Sequence, residues 1–356
     1  MKQLLTSTTL MMTTLLLLPA AMTSAQGDSG AKPYHEEQVV YDNAGAGIRL
    51  AGTLTIPEGH GPHPAVLLIT GSGPQDRDES IGPLKPFAVL ADALARVGVA
   101  ALRVDDRGVG QSTGNWILTD YKGYCDDARC GMEFLKGRPE IDARRIGLLG
   151  HSAGGVIAAM MAARSSEVAF IILLAAPCAP GEQVILLQNE GMLRRAGTPP
   201  EQIAKDLDGV RELCAVLKNT SEPNELRRKV QEMVARKNQS AEETRQEVDM
   251  LCTPWAKDHM TYNAQADLRR VTCPVLALWG AKDVLVTPNE NAESLRACLT
   301  QKDDPATSIR ILPDMNHLFQ KCQTGDVSEF FQIAETINPE VLDLIAGWTG
   351  QRVGKR

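Results

Sequence analysis

Residues 145–164 read Arg-Ile-Gly-Leu-Leu-Gly-His-Ser-Ala-Gly-Gly-Val-Ile-Ala-Ala-Met-Met-Ala-Ala-Arg, and the change of character inside this stretch decides the fold. Ile146–Leu149 is a short apolar run, too brief for a helix and suited to a strand covered on both faces. Gly155 to Arg164 is mostly Ala, Met, Ile and Val without Pro, which reads as a helix. Between them Gly150-His-Ser152-Ala-Gly154 matches G-x-S-x-G, with Ser152 at a strand-to-helix corner. A serine on so sharp a turn sits in strained backbone geometry, and the positions two before and two after it collide unless they are glycine. The turn also directs the Ala153 N–H along the open amino end of the helix, where it can stabilise an oxyanion.

The pattern alone is weak, because Gly110-Gln-Ser112-Thr-Gly114 matches it too. There the preceding apolar run ends near Val104 and Asn115-Trp-Ile-Leu118 starts no helical pattern, so context selects Ser152 as nucleophile.

Outward from the elbow, strands and helices alternate as a mostly parallel sheet requires. Glu37–Tyr41 and Ile48–Ile56 flank Asn43-Ala-Gly-Ala-Gly47 as a hairpin, and Pro64–Thr70 is an apolar strand. That strand runs into Gly71-Ser-Gly-Pro-Gln-Asp-Arg-Asp78, where missing side chains at Gly71 and Gly73 let the backbone approach a substrate oxygen; Ser72 N–H is the candidate second oxyanion donor. A helix over Lys85–Val97, a strand over Val99–Val104 and a helix over Tyr121–Lys136 precede the elbow, and a buried strand over Val168–Ala176 follows it. Asp105 and Asp106, at the carboxyl end of a strand, read as loop braces rather than catalytic acids.

From Gly181 to Asp267 the chain is charged and helix-forming with no strand signal, which predicts a helical cap insertion. Alternation resumes with a strand at Cys273–Trp279, a helix at Asn289–Cys298, a strand at Thr307–Leu312 and a helix at Pro339–Trp348. The expected organisation is an eight-stranded α/β core over residues 33–180 and 268–350, helices on both faces, interrupted by the 181–267 cap.

A serine hydroxyl needs a base within hydrogen-bond reach, and the base needs an acid to hold its tautomer. Asp283 follows the end of one late strand and His317 the end of the next, giving the chain order Ser, Asp, His. Of the six histidines, only His317 follows a late strand; His151 adjoins the nucleophile and should point elsewhere. Asp314 is the rival acid, and strand-end placement favours Asp283.

These segments carry a resemblance. Leu67-Leu-Ile-Thr-Gly-Ser-Gly-Pro-Gln-Asp-Arg-Asp-Glu79, Asp105-Asp-Arg-Gly-Val-Gly-Gln-Ser112, Gly150-His-Ser-Ala-Gly-Gly155, Trp279-Gly-Ala-Lys-Asp283 and Asn316-His-Leu-Phe319 look like those of bacterial α/β-hydrolases of the esterase and serine-aminopeptidase-like (S33) group. The likeness runs from about Gln38 to Trp348, with the cap matched in helical character more than in motif. It implies the α/β-hydrolase fold, a Ser152, His317, Asp283 triad and carboxylesterase activity on short acyl chains; for this chain the expected substrate is an ester of short to medium acyl length. The loop after Thr70 departs from the His-Gly-Gly-Gly loop of lipase-like esterases.

Composition bounds the rest. A net charge of −7 shows no basic excess, so nucleic acid and anionic membrane surfaces are not expected partners; a small-molecule ester is. Lys2, the apolar Leu4–Leu18 and the small residues to Ala25 predict a secretory signal peptide over 1–25 and export to the periplasm or beyond, with no stable membrane association after cleavage. All eight cysteines lie after it, and export permits disulfides, for which Cys298–Cys322 and Cys214–Cys252 are candidate pairs. No C-x-x-C or histidine cluster suggests a metal, and the chemistry needs no cofactor. The alternative activity is an aminopeptidase-type serine peptidase, which needs a carboxylate in the cap for the substrate ammonium; Glu190, Glu212 and Glu243 are among the candidates. A non-catalytic protein on the same fold would be expected to lack a triad member, and none is missing.

Overall fold

The computed structural model describes residues 32–237, 239–300 and 303–354. The predicted signal peptide lies outside the described residues, and among those described no helix is long and apolar enough to cross a membrane.

Two alternating segments, β1 (Tyr34–Asn43) and β2 (Ile48–Pro57), form the antiparallel hairpin at one edge of an eight-stranded sheet. β2 pairs antiparallel with β4 (Ala100–Val104), and every pairing beyond that is parallel. The order is β1-β2-β4-β3-β5-β6-β7-β8, where β3 is His63–Ile69, β5 Ile141–His151, β6 Ile171–Leu174, β7 Val275–Gly280 and β8 Ser308–Leu312. Continuous apolar runs place Leu67, Leu148, Leu149, Leu173 and Leu278 in the core almost without exposure, as strands covered on both faces require. Helix α1 (Pro86–Arg96) buries Phe87, Leu90, Ala91 and Leu94 at helical spacing, and α2 (Tyr121–Lys136) has the bounds that its pattern predicts. Helix α3 (Ala153–Ala162) is apolar all round and buried along its whole length, so the nucleophile turn leads into the centre of the core.

Two strand bounds differ from expectation. β5 begins at Ile141, ahead of the apolar Ile146, because Asp142–Arg145 continue the extended backbone as a partly exposed polar segment with a register shift against β3. β6 covers only Ile171–Leu174 of the apolar run; before it Ala169 donates to Ile146 O and Phe170 O accepts the Leu148 N–H, both on β5, and after it Ala175 turns to φ 49°.

The described residues fall into two compact units. One comprises Ile117–Tyr121 and Pro180–Asn263; the other holds the sheet. The first contains α4 (Gly181–Arg195), α5 (Pro200–Asn219), α6 (Pro223–Val234), α7 (Ala241–Leu251) and α8 (Pro254–Thr261). Its own core is a set of stripes: Val210, Leu213 and Leu217 on α5 pack with Leu226, Val230 and Val234 on α6 and Val248 and Leu251 on α7. Ser240 and Glu243 close a capping box at the start of α7. The short helix α9 (Gln265–Leu268), inside the expected insertion, belongs instead to the sheet unit, where Gln265 Nε2 donates to Ser294 Oγ at 2.9 Å. Helices α10 (Pro288–Cys298) and α11 (Pro339–Arg352) complete the chain.

Neither Cys298–Cys322 nor Cys214–Cys252 is bonded: all four are thiols. Cys214 packs on the apolar stripe of α5 with Sγ 3.8 Å from Met260 O, and its burial pushes the thiol up to about 12. Cys322 Sγ donates instead to Asp314 O at 3.4 Å. Both behave as small core residues.

Candidate active site

Ser152 ends β5 and opens α3 with φ 51° and ψ −123°, outside the regions that side-chain-bearing residues ordinarily adopt. Its N–H is held by Leu174 O at 2.8 Å, and a Cβ at Gly150 would lie 2.2 Å from Gly154 O. A Cβ at Gly154 would lie 2.2 Å from Ile69 O, so the glycines of the motif are fixed by backbone crowding, as the sequence predicts. Ala153 is the first helical residue, a position whose N–H has no intrahelical acceptor.

Asp283 follows β7 and His317 follows β8, and the structure brings the two together: His317 Nδ1 lies 2.8 Å from Asp283 Oδ2. The Asp283 side chain has no exposure, and its Oδ1 accepts the Leu285 and Val286 N–H groups at 2.8 and 2.9 Å. A carboxylate so held takes the Nδ1 hydrogen and leaves His317 Nε2 as the basic nitrogen. The loop bearing His317 is itself pinned. Asn316, fully buried, accepts the Leu318 and Gln320 N–H groups at 3.0 Å each and donates to Gln320 Oε1 at 2.9 Å. Among the described residues no hydrogen bond joins Ser152 Oγ to His317, a contact that often tightens only when substrate binds. The His317 ring packs instead on that of His151, the neighbour of Ser152, with centroids 4.8 Å apart.

The rival acid Asp314 turns away with φ 59° and pairs with Lys282 at 2.8 Å on the surface. Ser112, centre of the second G-x-S-x-G, is buried; it donates to Asp105 O at 2.8 Å and accepts the Ala51 N–H at 2.9 Å, which is a structural role.

The loop after β3 is braced by the two aspartates. Asp105 takes Arg77 through Nη2 at 2.6 Å and Nε at 3.0 Å, and also its backbone N–H at 2.8 Å. Asp106 accepts Thr70 Oγ1 at 2.8 Å and Gln75 N–H at 3.0 Å, and dense protein around its carboxyl pushes the pKa up to about 8. Asp78 pairs with Arg103 and Lys85. Ser72, the expected donor, lies in this loop with its carbonyl accepting Gln75 Nε2 at 3.1 Å. Sequence reasoning missed Glu79, which sits at φ 51° with 2% exposure beside His151; its only sequence signal is its place at the end of the motif loop. Among the described residues no three His, Cys, Asp or Glu side chains are grouped as a metal site needs.

The sheet order and a strained serine on the strand-to-helix turn define an α/β-hydrolase. A model of the family described as serine aminopeptidase, S33, matches residues 84–319, a span that includes Ser152, Asp283 and His317, and the chain belongs to that family. The chain is 28% identical over 301 residues to esterase EstD of Thermotoga maritima, covering 84% of this chain and 65% of the relative, so it spans under two thirds of that protein's length. Among solved structures, the Pyrococcus furiosus esterase PF2001 is similar with a TM-score of 0.56 at 14% identity, over 95% of this chain and 99% of that one. The α/β-hydrolase GrgF of Penicillium sp. sh18 is similar with a TM-score of 0.54 at 18% identity, over 90% and 99% of the two chains. At such identities the structures share the fold.

Proposed function

We propose that this protein is an exported serine carboxylesterase acting on short to medium acyl esters. The observation that carries the reading is the buried Asp283–His317 pair, at 2.8 Å on the loops after β7 and β8, in the chain that holds Ser152 at φ 51° on its elbow. Ser152 Oγ attacks the ester carbonyl as His317 Nε2 takes its proton, and Asp283 holds the ring and balances the imidazolium. The Ala153 and Ser72 N–H groups stabilise the oxyanion, the alcohol leaves with the proton, and water activated by His317 deacylates Ser152. No cofactor enters. Likeness to EstD supports the ester substrate, and the leader-like composition of residues 1–25 supports export.

The family description favours peptidase activity as the second reading. Of the acidic residues in the insertion, the three named as candidates are engaged within their own helices or with neighbours: Glu190 with Arg194, Glu212 with Arg236, and Glu243 in the capping box. Initial rates on p-nitrophenyl esters of increasing acyl length, beside aminoacyl p-nitroanilides, separate the readings. Ester turnover that vanishes in Ser152→Ala, without anilide cleavage, is the expected result. Anilide cleavage that requires a free amino terminus would transfer the protein to the peptidases.

A further inference from the structure

Glu79 is a left-handed, non-glycine residue with 2% exposure, a combination that persists only where the surroundings enforce it. All its side-chain hydrogen bonds pass through one oxygen. Oε1 accepts the Gly71 N–H at 2.6 Å and lies 3.0 Å from His151 Nδ1, while Oε2 is buried without a hydrogen-bond partner among the described residues. The other nitrogen of the ring, His151 Nε2, lies 3.1 Å from the carbonyl oxygen of His317.

This geometry fixes the proton count. A carbonyl oxygen only accepts, so His151 Nε2 carries a hydrogen. Nδ1 and Oε1 then share one more proton, either as imidazolium with carboxylate or as neutral imidazole with carboxylic acid; both forms are neutral overall. Burial disfavours charge on the His151 ring, yet the Glu79 carboxylate outweighs it and the ring's pKa is raised.

Three parts of the site meet at this pair. Gly71 begins the loop proposed to hold the oxyanion, and its missing Cβ would stand 3.3 Å from Ser152 Cβ and 3.0 Å from Glu79 Oε1. His151 is the residue before the nucleophile. His317 receives its bond through the backbone. We infer that Glu79 and His151 are positioning residues of the proposed reaction, a buried proton-sharing pair that holds the oxyanion loop, the nucleophile elbow and the catalytic histidine in mutual register. The inference rests on Ser152 and His317 acting as proposed above.

Substitution separates this role from simple packing. Glu79→Gln keeps the shape and an oxygen for the Gly71 N–H, but removes the shared proton, so the Nδ1 lone pair faces an amide oxygen or the ring carries an unbalanced charge. His151→Gln keeps a donor for His317 O and leaves the Glu79 carboxylate unbalanced. The probe is an alkyl fluorophosphonate, which phosphonylates an activated serine whatever the natural acyl group. Rates are read as maximal inactivation rate and half-saturating concentration, with thermal melts for folding and p-nitrophenyl butyrate turnover in parallel.

Each single variant is expected to lower the maximal rate about ten-fold or more, the scale of a misplaced oxyanion or base contact, with half-saturation unchanged within about two-fold. The Glu79→Gln/His151→Gln double variant, which buries no unbalanced charge, should lose no more than either single variant. It carries the same test if a single variant fails to melt as a native protein. Folded variants that label at the wild-type rate, or losses that multiply in the double variant, would overturn the pair. A wild-type protein that does not label at Ser152 overturns the nucleophile reading and this inference with it; a labelled wild type matched by its variants overturns the inference alone.

Discussion

At the scale of single residues, the site depends on close approaches that leave no room for added atoms. A Cβ at Gly71 would meet Glu79 Oε1 at 3.0 Å, Ser152 Cβ at 3.3 Å and His151 O at 3.5 Å. Gly71→Ala must therefore push the loop away from the nucleophile. It should destabilise the protein by about 1–3 kcal/mol, as overpacking does, and lower kcat on p-nitrophenyl esters more than it raises KM; a variant with wild-type kcat would show that the loop does not contact the reaction. Asp283→Asn tests the base. An asparagine oxygen still accepts the Leu285 and Val286 N–H groups, so the fold should hold, but its amide cannot accept the His317 Nδ1 hydrogen. The ring then takes the wrong tautomer, and kcat should fall by about 10⁴ with the melting temperature little changed, the size of the effect in serine proteases. Legibility at this scale was uneven. The strand-end positions of Ser152, Asp283 and His317 could be read because each stands after a strand with a readable apolar run, whereas Glu79 lies in an irregular loop where burial and φ come from tertiary packing alone.

At the scale of elements, the loop after β3 is tied down by hydrogen bonds to Asp105 and Asp106, one of which makes stability depend on pH. Asp106 binds its base through Thr70 and Gln75 with a pKa raised to about 8. The folded protein thus keeps a proton that the unfolded chain, near the ordinary carboxyl value of about 4, has lost. The contribution is present in full below that value and is lost as pH rises from about 4 to about 8, levelling off above. Asp106→Asn should flatten this part of a urea-denaturation profile measured against pH, and an unchanged slope would show that Asp106 is ionised at neutral pH. Periodicity gave the bounds of α2 and the hairpin pairing of β1 and β2, since both patterns are local. It misjudged β5 and β6 for opposite reasons: a polar segment can continue a strand when a neighbour supplies the ladder, and an apolar run can hydrogen-bond to the flanking strands at its ends while the regular strand covers only its middle. The cysteine pairs failed because an even count of cysteines does not distinguish a bridge from a buried thiol.

At the scale of the whole molecule, the alternation of strands and helices was enough to identify the parallel sheet, while the charged, strandless interval after Ala179 spoke only for helix, and the helices α4 to α7 there share an apolar cluster. Substrate preference depends on side-chain surfaces that no periodicity records, and rates on esters of differing acyl length read it. The central claim is that catalysis runs through an acyl-enzyme on Ser152. Rapid acid quench of the protein during turnover of p-nitrophenyl butyrate, followed by peptide mass mapping, tests it most directly. The account predicts one butyryl group on the peptide bearing Ser152, with neither the adduct nor the product burst in Ser152→Ala. Turnover that proceeds with Ser152 unmodified, or survives in Ser152→Ala, would contradict it.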